Sequence, residues 1–103
     1  MTDIQVNLKK DGPETVVELA GRLDTNTSPE FEKVIEPILK GDISQVKVDC
    51  TRLDYISSSG LRLLLMLHKN IKAKKGTLRL CGLNPNIREV FNVTGFASFF
   101  KIE

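Results

Sequence analysis

The chain has 103 residues, of which 41% are hydrophobic, 6% aromatic and 27% charged, and its formal net charge at pH 7 is +2. This length suits a single domain over residues 1–103 with one aliphatic core, and the near balance of charge excludes a strongly basic nucleic-acid-binding surface. The sequence contains neither a secretory signal nor an apolar run of the ~20 residues that cross a bilayer, so we expect a cytoplasmic protein that does not enter membranes.

The chain begins with a predicted β-hairpin. Residues 3–9 alternate apolar and polar side chains, which is the period-two pattern of a half-buried strand. Residues 11–13, Asp-Gly-Pro, have the composition of a turn, and residues 15–20 are predicted to form the returning strand.

The first helix is predicted from an apolar repeat of helical period that begins at Phe31. Thr27 and Glu30 have the spacing of a capping box, so we expect the Thr27 hydroxyl to cap the start of this helix. Gly41 follows the repeat and is predicted to take the left-handed conformation that commonly ends a helix.

Strands and helices alternate through the rest of the chain. The predicted elements are a strand at 45–50, a helix at 58–74 closed by Gly76, a strand at 77–81, a helix between Pro85 and Gly95, and a strand at 99–102. A hairpin followed by such alternation is typical of a mixed sheet with parallel crossovers. We therefore predict an α/β fold with about five strands and three to four helices packed against the sheet.

Three consecutive serines, Ser57, Ser58 and Ser59, stand between the third strand and the second helix, directly before Gly60. Ligands often bind between the carboxyl end of a strand and the amino end of the next helix, where unpaired N–H groups and the helix dipole favour an anion. One serine is expected to cap the helix. The cluster as a whole is a candidate nucleophile or a candidate modification site, and only the second is compatible with the rest of the sequence.

A nucleophilic serine needs a base within hydrogen-bonding distance. The one histidine in the sequence, His68, lies about 13 Å beyond Ser59 along the same helix at 1.5 Å per residue, so it cannot serve as that base and is expected at the edge of the core. Gly60 lacks the further residues of a phosphate-binding loop. We predict no catalytic residue, no metal site and no cofactor, and hence no enzyme.

The second predicted helix has a methionine on its polar side. Met66 falls outside the apolar stripe and on the side of Arg62 and Lys69, where it is either part of an adaptable protein-binding surface or an isolated surface residue. Arg62 follows Ser59 by three residues and is placed to approach a phosphate on that serine from one turn along the helix.

Three segments together resemble the STAS domain, and specifically the stand-alone anti-sigma factor antagonists of bacteria. They are GRLDTNT around Asp24, ISSSG ending at Gly60, and LNPNIREVFNVTGF near the C-terminus. The resemblance covers essentially the whole chain and implies the mixed sheet predicted above.

The resemblance also implies a function. In that family the serine before the loop glycine, here Ser59, is phosphorylated by a partner that is both an anti-sigma factor and a serine kinase. The unphosphorylated antagonist binds the anti-sigma factor and releases a sigma factor for transcription; phosphorylation weakens that binding, and a serine phosphatase restores it. Many members have aspartate where this chain has Ser57, so Ser58 and Ser57 are kept as alternative acceptors.

The same resemblance, with the exposed helix face, implies one surface for partner binding. Its expected residues are Asp24, Thr25, Asn26, Thr27, Ser57, Ser58, Gly60, Arg62 and Met66. The alternative function is a STAS scaffold subunit of a lipid-transport or sensory assembly, without a phosphorylation switch. Neither function involves direct contact with nucleic acid or membrane, and weak assembly into a homo-oligomer is left open.

Overall fold

The structure, a computed structural model, describes residues 4–103. The strands are β1 (Ile4–Asp11), β2 (Glu14–Leu23), β3 (Gln45–Ile56), β4 (Thr77–Cys81) and β5 (Lys101–Ile102). The helices are α1 (Ser28–Lys40), α2 (Ser58–Ala73) and α3 (Pro85–Thr94), and a 3₁₀ turn (Phe96–Phe99) follows α3.

The strands form one sheet in the order β1-β2-β3-β4-β5. β1 pairs antiparallel with β2, and each of the other neighbouring pairs is parallel. The helices α1 and α2 are the crossovers that join β2 to β3 and β3 to β4. The prediction of a mixed sheet with an opening hairpin, followed by crossovers and three to four helices, is confirmed.

The helices pack on one face of this sheet. Alternate side chains of β2, β3 and β4 point into a single apolar core, in which Val17 pairs with Val48 and Val48 pairs with Leu80 across the parallel register. The helices contribute Phe31, Ile35, Ile38, Leu61, Leu64, Leu67, Ile71, Ile87 and Phe91, all buried. The opposite face of the sheet is polar and includes an ion pair between Lys9 and Glu18 at 3.1 Å.

The two ends of α1 differ from the prediction. The Thr27 hydroxyl makes no capping bond to the helix, so the capping box with Glu30 is wrong. Gly41 is extended (φ −100°, ψ −165°) rather than left-handed. A Cβ at this position would lie 2.8 Å from the carbonyl oxygen of Pro37, so close passage of the chain, and not an unusual φ, explains the glycine.

The end of α2 is also built differently. The left-handed residue is Lys75 (φ 61°), with its N–H donating to the Lys72 carbonyl and the N–H of Gly76 donating to the Ile71 carbonyl. Gly76, which the sequence predicts as the residue that closes the helix, therefore directly follows the left-handed residue. A Cβ on Gly76 would lie 1.9 Å from the carbonyl oxygen of Ser44, and no side chain fits there.

Two strands have other lengths than predicted. β3 continues six residues past Cys50 to Ile56, so the serines follow directly from its end. The last predicted strand is reduced to Lys101–Ile102, because the residues before it form the 3₁₀ turn. The long β3 has a consequence for function, since it carries the serines to the same edge of the sheet as the end of β2.

His68 lies where the sequence predicts it, at the edge of the core. Its ring is 5.2 Å from the Phe100 ring, centroid to centroid, with the planes tilted by 58°. Burial lowers the pKa of His68, with the neighbouring charge of Lys72 adding to the effect. The contact of this ring with Phe100 indicates that His68 belongs to the packing of the C-terminal segment.

Candidate functional site

The site is made by two segments that meet at the carboxyl ends of β2 and β3. The first, which we call the aspartate loop, is residues 24–27; the second, which we call the serine loop, is residue 57 together with the first two residues of α2, 58 and 59. Neighbouring parallel strands end at the same edge of a sheet, so the loops that follow them lie side by side. The backbone N–H of Ser57 donates to the carbonyl of Leu23 at 2.9 Å and fastens the second loop to the end of β2.

Asp24 organises the aspartate loop through its carboxylate. One oxygen, Oδ1, accepts hydrogen bonds from the backbone N–H of Asn26 (2.9 Å) and of Thr27 (3.0 Å). The bond from the Thr27 N–H is the main reason that the pKa of Asp24 lies below its usual range, and the charge of Arg22, with Nε 3.5 Å from Oδ2, acts in the same direction. The carboxylate is thus held ionised as a structural part of the loop.

Thr27 stabilises the aspartate loop through its buried hydroxyl. Its side chain is buried, with 5% exposure, and its hydroxyl donates to the carbonyl of Arg22 (2.7 Å) and accepts from the N–H of Asp24 (2.9 Å). Thr27 and the Asp24 carboxylate therefore fix the loop from both sides. The residues between them, Thr25 and Asn26, are exposed.

Replacing Thr27 with valine is expected to lower the free energy of unfolding by about 1–3 kcal/mol, because the Arg22 carbonyl and the Asp24 N–H lose their common partner. Urea unfolding measures the change. Thr27→Ser is the matched control, since it keeps both hydrogen bonds and removes only a methyl group, and it should lose less. A valine variant as stable as the wild type would contradict this role for the hydroxyl.

Ser57 is the serine that caps α2. Its backbone is extended (φ −98°, ψ 175°), and its hydroxyl accepts from the N–H of Gly60 at 3.3 Å. Ser58 occupies the first position of the helix and is exposed, whereas Ser59 is half-buried. The Oγ of Ser59 lies 3.1 Å from the Oγ1 of Thr25, so a hydrogen bond joins the two loops.

Gly60 lets α2 begin close against the sheet. A Cβ built at this buried position would lie 2.8 Å from the Cγ of Leu23, 2.9 Å from the Leu23 carbonyl oxygen and 2.9 Å from the Cγ1 of Ile56. Real Cβ atoms almost never approach that closely, so the glycine is required by the packing. It holds the serine loop near the aspartate loop.

The electrostatics of the serine loop favour a negative group. The first N–H groups of an α-helix have no partner within the helix, and the Ser57 hydroxyl takes only that of Gly60. The first turn of α2, which the structure describes in full, contains no acidic residue. Arg62 is exposed one turn further along. A phosphate on Ser59 would lie at the positive end of the helix dipole.

A shallow groove continues from this loop along α2 and is lined by Arg62, Leu65, Met66 and Lys69. Met66 is half-buried and packs against the core, so its expected exposure is wrong. A long unbranched side chain can lie back along its helix in this way. The groove therefore has an apolar floor between two basic side chains.

The structure places the predicted partner-binding residues on or beneath one surface. Thr25, Asn26, Ser58 and Arg62 are exposed, Asp24, Ser57 and Met66 are half-buried, and Thr27 and Gly60 are buried. The two buried residues shape the loops and present little surface of their own. Sequence reasoning missed a further pair beside the loops, in which the Arg22 guanidinium lies 4.2 Å from the centre of the Tyr55 ring.

Some functional features are absent from residues 4–103. No group of three or more His, Cys, Asp or Glu side chains in this part of the chain could hold a metal ion. No helix within the same residues has the length and apolar character to cross a membrane.

The family model described as the STAS domain matches residues 5–103. The chain belongs to the STAS domain family. This STAS domain is also 37% identical, over 84 residues, to BtrV of Bordetella bronchiseptica, whose name assigns it provisionally to the anti-sigma factor antagonists. The match covers 82% of this STAS domain and 72% of BtrV. The predicted family is confirmed.

Solved structures confirm the fold of this STAS domain. An anti-sigma factor antagonist from Mycobacterium paratuberculosis is 20% identical, with a TM-score of 0.87 over 96% of this chain and 84% of that one. SpoIIAA of Bacillus, 24% identical, matches in its unphosphorylated form (TM-score 0.80, 96% and 88% covered) and its phosphorylated form (0.73, 96% and 91% covered).

Proposed function

We propose that this STAS domain is an anti-sigma factor antagonist whose binding is switched by phosphorylation of Ser59. The assignment of the protein class rests on the identity to BtrV, because 37% identity over most of both chains is well above the identity at which two proteins share only a fold. The Bacillus protein SpoIIAA is described in unphosphorylated and phosphorylated forms, which supports a switch of this kind.

The geometry of the serine loop favours Ser59 as the acceptor over its neighbours. The hydroxyl of Ser57 is occupied as the cap of α2, and a phosphate there would remove the bond to the Gly60 N–H. Ser58 is exposed, and within residues 4–103 its hydroxyl makes no hydrogen bond to the aspartate loop. Of the three hydroxyls, only that of Ser59 is hydrogen-bonded to the aspartate loop.

In the proposed mechanism, the unphosphorylated loops and the groove of α2 bind an anti-sigma factor that is also a serine kinase, and a sigma factor is released. Phosphorylation adds a charge of about −1.5 to −2 at neutral pH. This STAS domain tolerates the charge at the start of α2, while the partner meets new charge and bulk at the interface. Each 1.4 kcal/mol of binding free energy that is lost lowers the affinity tenfold, so a local repulsion is enough to weaken the complex. A serine phosphatase removes the phosphate and restores binding.

The protein so described regulates by binding, needs no cofactor and acts in the cytoplasm. Exposed Asn26 and Arg62 would contact the partner directly, and exposed Thr25 lies on the same surface. The apolar floor of the α2 groove, at Leu65 and Met66, would add a patch for an apolar side chain of the partner.

The proposal is tested by phosphorylation in vitro. The unphosphorylated chain is used to isolate its anti-sigma factor from the native bacterium, and the purified complex is incubated with ATP. We expect one phosphoryl group on Ser59, found by mass spectrometry, and none on the Ser59→Ala variant. Unchanged modification of that variant would assign the phosphate to Ser58 or Ser57. Isolation with membrane transporter subunits and no kinase would instead support a scaffold function.

A further inference from the structure

We infer that Thr25 is a positioning residue for Ser59: its hydroxyl holds the Ser59 hydroxyl in the orientation from which a phosphoryl group is transferred. The inference deepens the proposed function and rests on it. Thr25 faces Ser59 from the aspartate loop, and the sequence identifies it only as one of several residues of a partner-binding surface.

The contact joins residues 34 positions apart in the sequence. The Oγ1 of Thr25 and the Oγ of Ser59 are 3.1 Å apart, which is hydrogen-bonding distance, and either hydroxyl can donate. A serine side chain has three staggered χ1 wells. Only a well that directs Oγ towards the aspartate loop allows this bond, so the bond selects among the orientations of the acceptor.

Both sides of the contact are held in place by other interactions. On the aspartate loop, Thr25 lies between Asp24, whose carboxylate accepts two backbone N–H groups, and Thr27, whose hydroxyl is bonded twice. On the other side, the Ser57 N–H is bonded to the Leu23 carbonyl, and Gly60 packs directly on Leu23. The two hydroxyls therefore face one another without a separate ordering of either loop.

Such an arrangement matters for phosphoryl transfer in particular. That reaction depends mainly on bringing the attacking oxygen, the phosphorus and the leaving oxygen roughly into line. In the transfer, the Ser59 oxygen forms a bond to the γ-phosphorus of ATP, the bond from that phosphorus to the bridging oxygen of ADP breaks, and the Ser59 proton leaves to a base of the kinase. An acceptor already in one orientation reaches this alignment more often than one that rotates freely.

Thr25 could either contact the partner or orient the Ser59 hydroxyl, and these two roles have different effects on the kinetics. If Thr25 only contacts the partner, any change to its surface alters the affinity of the complex and hence KM. A residue that orients the acceptor affects kcat and depends on its hydroxyl alone. The pair Thr25→Val and Thr25→Ser distinguishes these roles, because valine has the shape of threonine without the hydroxyl, and serine has the hydroxyl without the methyl group.

Two measurements test the inference. The first is free of any kinase: the Hα–Hβ couplings of Ser59 by NMR report its χ1 populations, and we expect one dominant rotamer in the wild type and in Thr25→Ser, and averaged couplings in Thr25→Val. The second is phosphorylation by the anti-sigma factor kinase that the wild-type chain isolates. We expect Thr25→Val to lower kcat by about threefold to tenfold with little change in KM, and Thr25→Ser to stay within about twofold of the wild type.

The outcomes point to different failures. Unaltered Ser59 couplings in Thr25→Val, or altered couplings with an unaltered kcat, would overturn the inference and leave the proposed function standing. An equal loss in Thr25→Ser would also overturn it. If the wild type itself receives no phosphate on Ser59, the proposed switch fails and the inference falls with it. Because Thr25 is exposed, thermal unfolding of both variants is expected to match the wild type.

Discussion

Replacing Ser59 with aspartate is expected to weaken the complex with the anti-sigma factor by at least about tenfold, or 1.4 kcal/mol. Aspartate places a permanent negative charge at the start of α2, in the middle of the surface formed by the aspartate and serine loops. The same charge is favourable for the STAS domain itself, where the helix dipole stabilises it by about 0.3–1 kcal/mol. Binding and stability should thus change in opposite directions. Isothermal titration calorimetry measures the first and urea unfolding the second.

Two controls separate charge from shape and from position. Ser59→Asn has nearly the size of aspartate without its charge, and it should bind much more tightly than Ser59→Asp. Ser58→Asp places the same charge on the neighbouring exposed residue and tests whether the effect belongs to Ser59. Equal binding by the wild type and Ser59→Asp would contradict an electrostatic switch at this serine. An equal loss in Ser59→Asn would assign the effect to the changed shape or the lost hydroxyl rather than to charge.

Local patterns in the sequence predict most of the fold. The hairpin follows from alternation and a turn, and α3 ends at Gly95 as predicted, with that glycine in the left-handed conformation (φ 80°). Two of the errors at the helix ends are caused by partners that lie outside the helix concerned. The Thr27 hydroxyl is hydrogen-bonded to the backbone of Arg22 and Asp24, which precede the helix. Gly76 must be a glycine because the Ser44 carbonyl lies too close for a side chain. Neither partner is evident from the spacing of residues within a helix.

The candidate site, like the fold, can be predicted from the sequence only in part. The position of the serines at the start of α2 is predictable, because a strand, a polar loop and an amphipathic helix follow one another in the chain. The contact between Thr25 and Ser59 is not, since it depends on the register of β2 and β3, which shifts twice, between Glu18 and Ala20 and between Gly21 and Arg22. The pairing of Arg22 with Tyr55 has the same origin.

Replacing Gly60 with alanine is expected to destabilise the protein by about 1–3 kcal/mol, through overpacking against the ends of β2 and β3. The sign is the reverse of the usual one, because alanine is favoured over glycine within helices by about 1 kcal/mol. The new methyl group would stand 2.8 Å from the Leu23 Cγ and 2.9 Å from the Leu23 carbonyl oxygen. That carbonyl is backbone and also accepts the Ser57 N–H, so it cannot move aside without loss of that bond.

The start of α2 is then the part that shifts, which moves Ser59 relative to Thr25. We therefore expect Gly60→Ala to lower both the free energy of unfolding in urea and the rate of Ser59 phosphorylation. Ser58→Ala is the matched control, since it lies in the same helical turn but is exposed and should change stability by less than about 0.5 kcal/mol. A Gly60→Ala variant as stable as the wild type or more so would mean that α2 can move away from the sheet freely, and that close packing does not hold the two loops together.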